Sequence, residues 1–182
     1  MADSAHIEIL RHGPKAWNSW REQNPDQRPN LEGVALGLSE RQLGPANGGP
    51  VNLQGARLSR AFLRSACLSG ADLEAADLAE ADVSSARLDG ANLTGANLAH
   101  AVLDNASFSG AILTSANVRG ASLRGAKNLT QAQINALICD LSTIFPEHLV
   151  HPVSTLAARS NDGLPLPREQ ADSKFFSPLV HR

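Results

Sequence analysis

From residue 56 to residue 126 every fifth residue is alanine, without exception. A larger apolar side chain recurs at the same interval from Leu53 to Leu123, with Val83, Phe108 and Val118 the departures from leucine. This makes fifteen units that read small, polar, large, variable, small-or-polar, the first with Val51 in the alanine place. Neither regular element can hold the pattern straight. On an α-helix a five-residue step turns about 140°, so successive leucines spiral round the cylinder and no apolar stripe forms. On a continuous strand an odd spacing sends them to alternate faces. The chain must therefore bend in every unit. If alanine and leucine of each short extended stretch point the same way, the units close into coils around one apolar axis. Glycine or serine fills the last place in most units, which suits a corner: glycine tolerates positive φ and serine bonds back to nearby backbone.

Composition agrees with a thin core. Alanine (28) and leucine (25) supply 53 of 182 residues, aromatics make up 4 %, and tyrosine is absent, so a layered core of large interlocking side chains is out of reach. Sixteen basic against 18 acidic residues leave a net charge of -2. No overall field argues for direct nucleic-acid binding or an anionic membrane. Cys67 and Cys139 stand 72 residues apart, a usage that suits unpaired thiols in a reducing compartment. No apolar run approaches the roughly 18 residues of a membrane span or reads as a signal peptide, so the cytoplasm is the expected compartment.

Units such as Ala71-Asp72-Leu73-Glu74-Ala75, Ala91-Asn92-Leu93-Thr94-Gly95 and Ala96-Asn97-Leu98-Ala99-His100 resemble the pentapeptide-repeat family, whose consensus is Ala, Asp or Asn, Leu, any, any. The resemblance covers residues 51–126 and implies an all-β solenoid. In that family the solenoid is a right-handed quadrilateral parallel β-helix with four units per coil. Charge offers a check on four sides, since residues twenty apart would then stack. That spacing places Arg57 over Asp77, Arg60 over Glu80 and Asp104 over Arg124, all opposite in sign, whereas a fifteen-residue coil would stack Glu74, Asp89 and Asp104.

Open coil ends expose apolar floor and unpaired backbone, so the flanks are read first as short α-helical caps. Residues 1–30 form the N-terminal cap: His6 to Leu10 as a helical turn, then Pro14 to Gln23 as a helix opened by proline and stopped at Asn24-Pro25. Trp17 and Trp20 share a face that would lie on the solenoid end. Residues 31–50 are a degenerate coil, with Leu31, Leu36, Leu38 and Leu43 in imperfect phase, interrupted by the Gly44–Pro50 loop. At the other end, residues 127–152 hold a capping helix and turn, where Thr130 and Gln133 make a capping box opening Gln131 to Ile138. Residues 153–182, rich in Ser, Pro, Gly and charge, read as a flexible tail carrying the Phe175-Phe176 pair.

No constellation for catalysis is visible, and no cofactor or metal is assigned. His100 takes an outward place above Glu80. His148 and His151, with Cys139 upstream, lack a second cysteine and helical spacing. We therefore expect a non-enzymatic scaffold whose flat sides contact an unidentified protein partner. The open ends also allow a homodimer through a solenoid end. The alternative comes from the resemblance: some family members resemble B-form DNA in shape and charge and inhibit DNA gyrase, which would make this chain a regulator or protector of a type II topoisomerase. Its acidic residues Asp72, Glu74, Asp77, Glu80, Asp82 and Asp89 would, however, form a band around one coil. A duplex mimic needs charge along the axis. The candidate partner-facing set is these six plus Phe62, Val102 and Ile112, which stand where the repeat places polar groups; Phe62 and Val102 would share a side with Asp82 between them.

Overall fold

The computed structural model describes residues 1–35 and 49–152. The expected continuation through Leu36, Leu38 and Leu43, most of the Gly44–Pro50 loop, and the 153–182 tail with Phe175-Phe176 lie outside the described residues. From Asn52 to Ser107 each unit places its second residue in a parallel bridge with the residue twenty positions later. Four units thus make one coil, and the chain is a right-handed quadrilateral β-helix. Its sides are columns of bridged residues. The first holds Asn52, Asp72, Asn92 and Ile112; the second Arg57, Asp77, Asn97 and Asn117; the third Phe62, Asp82, Val102 and Ser122; the fourth Cys67, Arg87, Ser107 and Lys127. Every repeat alanine and every leucine-place residue is buried along the axis, Phe108 included.

From Asp72 on, a unit with Asp or Asn in its second place finds acceptors for all five of its amides. Around Leu73, the Ala71 amide closes the turn onto the Leu68 carbonyl at 3.1 Å, and the Asp72 amide donates down to Val51 at 3.0 Å. The Leu73 and Ala75 amides donate up to Asn92 and Thr94 at 2.8 and 2.9 Å. The remaining amide, of Glu74, donates to the Asp72 carboxylate at 3.1 Å. Aspartate or asparagine in the second place is therefore a backbone partner first, an Asx turn repeated along the rod. The corner residue takes positive φ whether it is glycine, as at Gly70 (φ 71), or not, as at Ala75 (φ 52) and Glu80 (φ 59).

Both ends are closed by the same plan. Helix α1 (Ser4–Arg11) is longer than the turn expected from His6 to Leu10, because the Asp3 carboxylate caps it by accepting the Ala5 amide. Helix α2 spans Pro14–Gln23 and takes the place of a strand beneath the first side. There Asn18 accepts the Asn52 amide and donates to the Pro50 carbonyl, while the fully buried Trp17 donates its indole N–H to the Asn52 carbonyl. Arg21 and Arg28 satisfy the Gln54 and Gly55 carbonyls. Asn30 and Ala35 then bridge Arg57 and Phe62 across 27 residues instead of 20, so the degenerate stretch keeps the ladder on the second and third sides but not its spacing.

At the far end α3 spans Gln131–Asn135, with the Thr130–Gln133 capping box. It stops short of the expected Ile138. The last coil's upward amides need acceptors, and Ala136, Ile138 and Ile144 provide them to Ser115, Val118 and Leu123. Ile138 leaves the helix to bridge Asn117, and Ile144 bridges Ser122. The Gln133 side-chain amide donates back to the Phe108 and Ala111 carbonyls at 3.1 and 2.9 Å, so α3 also lies against the coil end as a side-chain donor.

Candidate interaction faces

The acidic residues occupy one coil, but one carboxylate oxygen of each aspartate serves the fold. Asp77 accepts the Ala79 amide and the Asn97 side chain, and Asp82 accepts the Ser84 amide and hydroxyl. Asp72 accepts the Asn92 side chain besides the Glu74 amide, and Glu74 receives a longer bond from the same Asn92 at 3.4 Å. Asp89 reaches up one coil to the Ser107 hydroxyl and the Ser109 amide. It supplies the turn acceptor that a serine in the second place cannot. Asp104 does the same for Ser122 and Arg124.

Glu80 alone of the six is committed to an ion pair, with Arg60 at 3.1 Å. The bond from Arg60 and the guanidinium charge hold its carboxyl below the usual range. Of the stacked charges expected from sequence, only this pair forms between side chains. Arg57 bridges Asp77 through backbone, yet its guanidinium turns down to Glu32 at 3.4 Å. Asp104 accepts the Arg124 amide, not the guanidinium.

Phe62, Val102 and Ile112 are exposed by 59, 41 and 51 %. Phe62 and Val102 share the third side with Asp82 between them, and Ile112 stands on the first side. Sequence reasoning missed Ile144, which continues the Phe62–Val102 column one step beyond Ser122 and is 43 % exposed. The step to it is 22 residues long, so a strict twenty-residue count passes it over. Ile138, Leu141 and Val150 add exposed apolar area at the same end. A shallow depression of about 700 Å³ lies there between Arg124, Ile144, Phe145, Glu147 and His148. The Phe145 ring meets His151 edge-on at 4.9 Å, so His151 packs as an aromatic neighbour. Among the described residues no three His, Cys, Asp or Glu side chains gather to hold a metal, and no helix is long and apolar enough to cross a membrane.

The family model for pentapeptide repeats matches in eight copies over residues 56–95 and 91–127. The crystal structure of Rfr23, a pentapeptide repeat protein from the cyanobacterium Cyanothece 51142, is 36 % identical over 64 % of this chain and 87 % of its own, with a TM-score of 0.53. A second, alr5209 from Nostoc PCC 7120, is 28 % identical over 64 % of this chain and 89 % of its own, with a TM-score of 0.37. QnrB1, a plasmid-mediated fluoroquinolone resistance protein, is 15 % identical over 65 % of this chain and 84 % of its own, also with a TM-score of 0.37. The search of curated proteins gave no match.

Proposed function

The chain belongs to the pentapeptide-repeat family, and on that premise we propose that it is a non-enzymatic scaffold whose flat sides make protein–protein contact. The observation that carries this reading is the third side, where Phe62 and Val102 replace the turn-capping carboxylate or amide with exposed apolar groups. Each such replacement gives up the Asx bond that Asp82 keeps between them on the same side, and the solvent-facing ring or isopropyl group gains nothing in the isolated rod. Ile112 extends the set to the first side. Asp72, Glu74, Asp77, Glu80, Asp82 and Asp89 complete the partner-facing positions as a polar surround, although their first task is the turn. Cys67 is a free thiol, which suits action in the cytoplasm.

The test is affinity capture from the native cell with one side altered at a time. Exchanging Phe62 and Val102 for serine removes the captured partner, and exchanging outward residues of the fourth side leaves it. Capture that survives alteration of all four sides defeats the scaffold reading. The reading as a topoisomerase regulator has its own assay, given below; carboxylates already bound to turn amides around a single coil speak against it.

A further inference from the structure

Charge on the third side and its corners changes from coil to coil. The Phe62 level carries Arg60 and Arg64; the Asp82 level carries Glu80 and Asp82; the Val102 level carries His100 and Asp104. The Ser122 level carries Arg119 and Arg124, and the Ile144 level carries Asp140 and Glu147. Read upward the levels are basic, acidic, acidic by the single charge of Asp104, basic, acidic. Reversed, every charged level except the middle one meets its opposite. The apolar residues obey the same reversal, since Phe62 and Ile144 each stand two levels from Val102.

We infer that this side is the contact between two copies of the chain, packed face to face and antiparallel, with the two-fold axis at Val102. In that arrangement Phe62 meets the second copy's Ile144, and Val102 meets its own counterpart. Arg64 and Arg60, the latter also paired with Glu80 of its own chain, face the second copy's Asp140 and Glu147, while Asp82 and the same Glu80 face its Arg119 and Arg124. The register needs no adjustment, because both copies share the ladder spacing of about 4.8 Å. A parallel pair would put Glu80 and Asp82 against themselves and Arg119 and Arg124 against themselves, so charge selects the reversed orientation. Asp82 uses Oδ1 for the Ser84 amide and hydroxyl, which leaves Oδ2 for the facing guanidiniums. Five levels make a contact about 24 Å tall, a small footprint that belongs to the weak class of specific interfaces.

The inference rests on the reading that the flat sides are contact surfaces. Sedimentation of the full chain over micromolar to millimolar concentration is expected to show a monomer–dimer equilibrium that weakens with added salt. Val102→Arg, which brings two guanidiniums together on the axis, is expected to abolish it while circular dichroism stays unchanged. Arg119→Glu with Arg124→Glu, and separately Glu80→Arg, each weaken self-association by about tenfold, and mixing the two variants recovers it as a heterodimer. A chain that stays monomeric throughout overturns the inference. So does a dimer indifferent to Val102→Arg but lost in Ile138→Arg, which would assign contact to the C-terminal end. If a monomeric chain still captures a partner through Phe62 and Val102, the dimer falls and the scaffold reading stands.

Discussion

The corner residue of each unit sits at positive φ, and eight of the fifteen corners from Gly55 to Gly125 are filled by something other than glycine. Left-handed backbone costs an ordinary residue about 1–2 kcal/mol. Glu80 recovers part of that through Arg60, whereas the exposed methyl group of Ala75 (φ 52) can make no such bond. Ala75→Gly is therefore expected to raise stability by about 0.5–1 kcal/mol, after the glycine's extra freedom in the unfolded chain is subtracted, and thermal unfolding measures it. Gly120 is the reverse case, for a side chain there would run into the His100 ring.

Asp140 makes a second prediction at the same scale. Its carboxylate accepts from the Ser142 hydroxyl, from the amides of Gly120 and Ser142 and from Thr143, and these bonds hold its pKa at about 2 against the opposing effect of burial. A folded pKa below the unfolded value of about 3.9 means that the stabilisation is complete above about pH 4 and fades as pH falls toward 2. The melting difference between the native chain and Asp140→Ala should follow that course. A difference that stays constant down to pH 2 would mean that the carboxylate charge plays no part.

Among the elements, the two caps carry the energetic burden of ending a repeat. Trp17 is fully buried and also donates to the Asn52 carbonyl, so Trp17→Ala both opens a cavity and orphans a backbone acceptor. A loss of about 3–5 kcal/mol is expected, read by denaturant unfolding. Thr130→Ala should cost about 1 kcal/mol, with faster amide exchange confined to the units above Phe108. In the sequence, the capping box located the start of α3 and Pro14 the start of α2. The end of α3 was not legible, because an apolar spacing of Ile134, Leu137 and Ile138 fits a helix as well as it fits a turn followed by a ladder residue. The unmet amides of Val118 and its neighbours decide between them, and those belong to a part of the chain that only folding brings near.

For the whole molecule, each coil touches only the coils next to it, so stability is close to a sum over neighbours and the ends are required for solubility. Charge distribution also acts at this scale. Residues 51–126 carry six basic and seven acidic side chains, and the carboxylates of Asp72, Asp77, Asp82 and Asp89 are bound to turns. Added in excess to a supercoiling assay, the purified protein is expected to leave DNA gyrase activity unchanged. Inhibition or protection there would restore the duplex-mimic reading.

The period of five determined the coil, its apolar axis and the burial of every repeat alanine and leucine-place residue, because a local rule repeated fifteen times admits few shapes that hide all the large side chains. Only the tertiary structure decided which carboxylates bind turns, that Arg57 turns to Glu32, and that Ile144 joins Phe62 and Val102. Those outcomes depend on contacts across a coil, and at the ends the coil departs from twenty residues. A count along the chain loses the register there, while hydrogen bonding between layers keeps it.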